Sequence, residues 1–149
     1  MPTADARTSP PSSRLRLAPE SRVEIGRWAV EAYPFEACGV LVGGVSTSKT
    51  AVIRVFVARN LESVAAGSRY RLDPRDHLAA WRWARERDLE IVGYWHSHPD
   101  HPPVPSSRDR RLAWEGTSYL IVTVTPSGAG ELRCWRLRQG SFVEEALSA

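Results

Sequence analysis

Two histidines separated by one serine, His96-Ser97-His98, lead into a proline-rich stretch that carries Ser106 and, three residues on, Asp109. On a helix, residues two apart point in nearly opposite directions. On extended chain they share a face, so a strand running on through Ser97 aims both imidazoles the same way. Neutral imidazole suits zinc, and a catalytic zinc takes three protein ligands and leaves a fourth position for water. Asp109 is the candidate third ligand, a hard oxygen donor. Pro99, Pro102, Pro103 and Pro105 stiffen the connection and can return the chain so that the next helix begins beside the histidines. Ser106 and Asp109 also have the spacing of a helix capping box, in which the serine accepts from a backbone N–H and the acid reaches back. An isolated pair of histidines has many other uses. Spacing alone leaves these readings open, and it is their conjunction that points to a metal.

Ordered elements have to hold these groups. Ile25, Trp28, Ala29 and Ala32 recur at helical spacing between Pro19 and Tyr33, and Pro34 stops that helix. ACGVLVGG and TAVIRVFVA are β-branched runs separated by Gly, Ser and Lys, which predicts a hairpin of two largely buried strands with Gly43-Gly44 as a turn. Residues 60–72 show no period and are expected to form a loop or irregular insertion. Asp73-Pro74 predicts a helix start, with Leu78, Trp81 and Ala84 facing the core and the helix ending near Asp88. EIVGYWH is the strand that delivers the histidines, Ser106 to Trp114 a further helix, and SYLIVTVT and ELRCWRL two more strands. Helices interleaved with strands in this way predict an α/β domain with helices flanking a mixed β-sheet.

The chain has 149 residues, 42% of them hydrophobic and 25% charged, which is the composition of one globular domain. A tail is expected over residues 1–14, rich in Pro, Ser and Thr, with the domain occupying residues 15–149. No apolar run reaches the roughly 20 residues of a membrane span, and the N-terminal segment has no signal-peptide core, so a cytoplasmic protein without membrane contact is expected. The net charge of +3 is small and its arginines are scattered, which argues against a nucleic-acid partner. Cys38 and Cys134 are too few for a disulfide framework or a thiolate zinc knot and are expected as buried thiols. His77 and His101 are expected to lie outside the chemistry, on a helix and in an exposed loop. Trp95 is expected to pack behind the histidine strand.

His96-Ser97-His98-Pro99, with seven residues between His98 and Ser106 and two between Ser106 and Asp109, resembles the JAMM signature of the MPN-plus zinc metalloproteases. Pro34-Phe35-Glu36-Ala37-Cys38-Gly39 is similar to the segment that carries that family's glutamate. Arg71-Leu72-Asp73-Pro74 and Gly93-Tyr94-Trp95 resemble its small prokaryotic members, which include hydrolases of sulfur-carrier proteins. The resemblance runs from about Leu15 to Phe142. It implies a three-layer JAMM/MPN domain, cytidine-deaminase-like, with His96, His98 and Asp109 holding Zn²⁺ and water as fourth ligand. It further implies Glu36 as general base and Ser106 as donor to the developing oxyanion. The implied partner is a ubiquitin-like or sulfur-carrier protein with a glycine-ended tail, whose amide or isopeptide bond is cut, with residues 60–72 placed to meet that tail. Relatives of this fold without metal act as scaffolds, so a non-catalytic binding module is the alternative. A zinc deaminase would need His-x-Glu with paired cysteines, and neither occurs. Taken alone, an acid before an apolar strand such as Glu36 is ordinarily a solvated end residue.

Overall fold

The computed structural model describes residues 14–63 and 65–149. Of the tail expected over residues 1–14, all but Arg14 lies outside the described residues. The elements run β1 (Arg14–Arg16), α1 (Pro19–Ala32), β2 (Cys38–Val45), β3 (Lys49–Ala58), α2 (Pro74–Arg85), β4 (Glu90–Pro99), α3 (Ser107–Leu112), β5 (Ser118–Thr125), β6 (Gly128–Arg138) and β7 (Ser141–Ser148).

The strands form one mixed sheet in the order β1-β3-β2-β4-β5-β6-β7, closed into a barrel. The sheet and its flanking helices match the expectation, but the sheet curls on itself where a layered arrangement was expected. Closure depends on β1, which pairs in parallel with both β3 and β7. Sequence pattern marks neither closing strand. Three residues, RLR, are too short to display alternation, and β7 carries adjacent acids, Glu144 and Glu145, that break its apolar rhythm.

Residues alternate between two apolar clusters along β2. Leu41 joins Ile25 and Ala29 of α1 with Val55, Trp95 and Leu120. Val40 and Val42 join Ala80 and Ala84 of α2 on the other face. Burial on both faces is why this strand reads as an unbroken apolar run. Gly43 and Gly44 belong to β2 and not to a turn. A β-bulge separates Val42 from Gly43, and a Cβ on Gly43 would fall 1.8 Å from the Ala51 carbonyl oxygen.

Helix α2 turns inward a different face from the one its large side chains suggest. Leu78 and Trp81 are each 44% exposed. The buried positions are Ala84, as expected, and Ala80 one turn before it, with Trp83 packed alongside. Two small residues let the helix backbone approach the sheet closely, which counting apolar bulk by itself does not reveal. Asp73 caps the helix as expected, its carboxylate accepting from the Arg75 N–H. Cys38 and Cys134 are buried free thiols, and no described helix is long and apolar enough to cross a membrane.

Strands β4 and β5 are parallel neighbours, so the chain must cross back over the sheet between them. That crossover contains α3 and passes the C-terminal end of β4, where the histidines are. Behind them, Trp95 is fully buried, stacked on Trp28 at 5.8 Å, and donates its indole N–H to the Phe56 carbonyl at 2.9 Å. Its ring lies where a side chain at residue 39 would be, since a Cβ on Gly39 would come within 2.2 Å of Trp95 Nε1 and 1.8 Å of the Phe56 oxygen. Gly39→Ala should therefore destabilise the fold by at least the ~1–3 kcal/mol of an overpacked core. A urea unfolding midpoint equal to that of the parent would contradict this packing.

Candidate metal centre and active site

His96 and His98 sit on one face of β4, 1% and 7% exposed, while Trp95 and Ser97 occupy the opposite, fully buried face. Ser97 ties the histidine strand to the residue beside Glu36. Its hydroxyl accepts from the Ala37 N–H at 2.8 Å, and its own N–H donates to the Ala37 carbonyl at 3.0 Å. Asn60 adds a second tie. Its Nδ2 donates to the Glu36 and Arg69 carbonyls, both at 3.1 Å, and its Oδ1 accepts from the N–H groups of Glu62 and Arg71 at 3.0 and 2.9 Å. One amide thus anchors the irregular segment to the backbone of Glu36. That segment lays the Tyr70 ring over His96, with centroids 4.7 Å apart and planes 27° from parallel.

Asp109 is the N3 residue of α3, and the capping box is formed. Ser106 Oγ accepts from the Asp109 N–H at 3.0 Å, and Asp109 Oδ2 accepts from the Ser106 N–H at 2.8 Å. The same Oδ2 lies 3.3 Å from Nε2 of His96 and 3.3 Å from Nε2 of His98. Capping and facing the histidines are therefore not competing uses. The cap is what aims the carboxylate.

The two Nε2 atoms are 3.1 Å apart, so the three donor atoms form a nearly equilateral triangle. Atoms bound about 2.0–2.1 Å from a tetrahedral zinc lie about 3.3–3.4 Å from one another. Two imidazoles and a carboxylate at this spacing fit such an ion without rearrangement. Glu36 also stands in a group with the two histidines, its donor atom and theirs within 4.8 Å of one another. Its Oε1 is 4.0 Å from His98 Nε2, beyond a tetrahedral edge. Of the two carboxylates, the Asp109 oxygen is the one that stands at a tetrahedral-edge distance from both histidines. His98 is oriented by its Nδ1, 2.8 Å from the Pro102 carbonyl. His96 Nδ1 is buried without a hydrogen-bond partner among the described residues, so its ring is held by the Tyr70 stack.

Burial sets the electrostatics. Glu36 is only 6% exposed, unlike a solvated strand-end acid. Desolvation pushes its pKa up to about 7, with His98 and Arg108 opposing and Asp109 reinforcing the rise. Burial also pushes Asp109 upward, but the hydrogen bonds with His96 and His98 and from the Ser106 N–H outweigh it and hold the carboxylate far below its usual range. Burial lowers His96, favouring the neutral imidazole that a metal requires. For His98, burial is outweighed by Asp109 and the Pro102 carbonyl, and its pKa is raised.

Glu36, His96 and Asp109 line one small cavity with Tyr70, Arg69 and Arg108. Ser106 and His98 join the group through the contacts above, so all five residues singled out from the sequence meet here. His101 is exposed outside this cavity, its carbonyl accepting from the Thr123 hydroxyl. His77 is on α2, 2.9 Å from the Tyr94 hydroxyl. Ser97, Asn60 and Tyr70 were not foreseen in these positions. Ser97 left one trace, a polar residue on the face of β4 where an apolar one is expected. Asn60 and Tyr70 left none, because their segment has no period.

Residues 19–138 match the family of prokaryotic homologs of the JAB domain. The chain is 38% identical over 131 residues to a desampylase of Haloferax volcanii, covering 83% of this chain and 89% of that protein. It is 32% identical over 117 residues to a CysO-cysteine peptidase of Mycobacterium tuberculosis, covering 78% and 77%. The fold is similar to a solution structure of a protein from Desulfitobacterium hafniense, with a TM-score of 0.80, 30% identity, and coverage of 90% of this chain and 91% of that one.

Asp109→Ala should cut bound zinc in the purified protein from near one equivalent to a small fraction, read by metal analysis after dialysis. An undiminished zinc content would assign Asp109 to the helix cap alone.

Proposed function

The chain belongs to the family of prokaryotic homologs of the JAB domain, and from that premise we propose that it is a zinc-dependent metallopeptidase of the JAMM type. It hydrolyses an amide or isopeptide bond after the C-terminal glycines of a ubiquitin-like or sulfur-carrier protein. The observation that carries this reading is the triangle of His96, His98 and Asp109 with the buried Glu36 carboxylate 4.0 Å from His98 Nε2. Similarity to a desampylase and a CysO-cysteine peptidase supports the reaction class.

His96, His98 and Asp109 would hold the zinc, which would supply Lewis acidity and make water more acidic at the site. Glu36 takes a proton from the attacking water and passes it to the departing nitrogen, which must leave protonated. Ser106 Oγ already accepts the Asp109 N–H, so its hydroxyl proton is free to donate to the carbonyl oxygen as charge develops there. No residue of the group needs to form a covalent intermediate.

The substrate tail has a path to Glu36. An open groove beside Glu36 is lined by Phe35, Ala37, Val57, Ala58 and Asn60. Along that side, among the described residues, β3 pairs with β1 only through Lys49, Thr50 and Ala51, leaving residues 52–58 as an edge on which an extended glycine-ended chain can add as a strand. Residues 60–72 flank the same path. Residues 15–149 act as one catalytic domain, in the cytoplasm. A metal-free scaffold would not need five polar groups gathered around one point, so the complete set favours the enzyme.

Glu36→Gln should retain zinc and the native circular dichroism spectrum while hydrolysis of glycine-tailed carriers and model isopeptides falls by at least ~100-fold. A fully active variant would remove Glu36 from the role of base. Ser106→Gly tests the hydroxyl apart from the cap, because glycine at an N-cap costs only a few tenths of a kcal/mol. A drop in kcat of about 100-fold or more with the melting temperature nearly kept is expected. Unchanged kcat would reduce Ser106 to a cap.

A further inference from the structure

We propose that Arg69 and Arg108 form a carboxylate-binding subsite on the leaving-group side of the cleft, selecting amides whose departing amine carries a free carboxylate. An amino acid joined through its α-nitrogen is such a group; the side-chain amine of a lysine within a folded protein is not. This inference rests on the hydrolase reading above and specifies its substrate.

Glu36 lines two cavities that meet at it. One is the open groove with Phe35, Ala37, Val57 and Ala58 on its walls, and the other holds Arg69, Tyr70, His96, Arg108 and Asp109. The scissile carbonyl must lie beside Glu36, so its two substituents occupy opposite sides. An extended, uncharged glycine tail suits the open groove, where Glu31 and Glu62 disfavour a carboxylate, and the edge of β3 that no described strand covers. The amine then departs into the cavity that contains the arginines.

Charge in that cavity is unbalanced when the metal is present. The two positive charges of a divalent cation are met by one negative charge each from Asp109 and Glu36, and the imidazoles bind it as neutral ligands. The two guanidiniums remain. Neither takes part in any of the ion pairs among the described residues, which engage Arg59, Arg75, Arg87, Arg133 and Arg136. A guanidinium stays charged at every relevant pH, and its planar fork matches a carboxylate. A cleft with this surplus draws anionic substrates.

Both arginines stand on backbone already fastened to the site. The Arg69 carbonyl is held by Asn60 Nδ2, the same amide that holds Glu36. Arg108 directly precedes Asp109 within the capped first turn of α3. Their placement relative to the reacting bond is therefore set by the bonds that place Glu36 and Asp109. In the reaction, the water oxygen bonds to the carbonyl carbon and the C–N bond breaks. The nitrogen takes the proton, releasing a tail that ends in carboxylate and a free amino acid.

The test uses the zinc-loaded full chain and two peptides ending in Gly-Gly-Ala, one with a free C-terminal carboxylate and one with a carboxamide. The carboxylate form should be cleaved between its last two residues with a kcat/KM about 10- to 100-fold higher. In the Arg69→Gln/Arg108→Gln variant that ratio should fall toward one. Equal rates on both peptides, a ratio that survives in the variant, or faster cleavage of a glycine–lysine isopeptide would overturn the subsite and leave the hydrolase reading standing. If neither peptide is cleaved, the hydrolase reading is what fails, and calorimetry with the same pair decides the subsite. At least tenfold tighter binding of the carboxylate form, lost in the double variant, supports it; equal binding overturns it.

Discussion

One carboxylate oxygen, Oδ2 of Asp109, accepts a backbone N–H from Ser106 while standing 3.3 Å from the Nε2 atoms of both histidines. That convergence is what the rest of the site depends on. A carboxylate and two imidazoles withdrawn from water are costly unless each finds a partner of opposite character. Here the helix cap supplies a proton donor to the acid, and the remaining donor atoms face a common point. The fold enforces the meeting by topology. Because β4 and β5 run parallel, the chain has to cross back past the end of β4, and the crossover brings the first turn of α3 beside His96 and His98. Sites at the carboxyl ends of parallel strands recur for this same reason.

Around that point the structure is stiffened by single residues with several bonds each. Ser97 links the histidine strand to Ala37 by two hydrogen bonds. Asn60 uses both ends of its amide to fasten residues 62, 69 and 71 and Glu36 together. Trp95 fills the space behind the histidines that Gly39 leaves open. Glu36, the two histidines and Asp109 are thus placed by two strands, a capped helix and one clamped segment.

The convergence of His96, His98 and Asp109 was legible in the sequence because their spacing is local: a two-residue period on a strand and a three-residue step in a helix turn are both visible without knowing the fold. Strand β5 was legible for a similar reason, since SYLIVTVT is apolar and β-branched throughout. Barrel closure was not, because it rests on β1, three residues whose partners lie more than 30 positions away. On α2, Ala84 faces the core as expected, but Leu78 and Trp81 do not and Ala80 does, because a small residue contributes by how near it lets the helix come. Asn60 and Tyr70 act through tertiary contacts from an aperiodic segment, for which local pattern carries no information. Spacing could not choose between the cap and an approach to the histidines for Asp109 because the two coincide in space.

X-ray absorption at the zinc edge of the metal-loaded protein tests the central claim most directly. The account predicts four nitrogen or oxygen neighbours at about 2.0–2.1 Å, with the outer-shell scattering of two imidazoles. A spectrum showing sulfur neighbours, or oxygen neighbours with no imidazole signature, would contradict it.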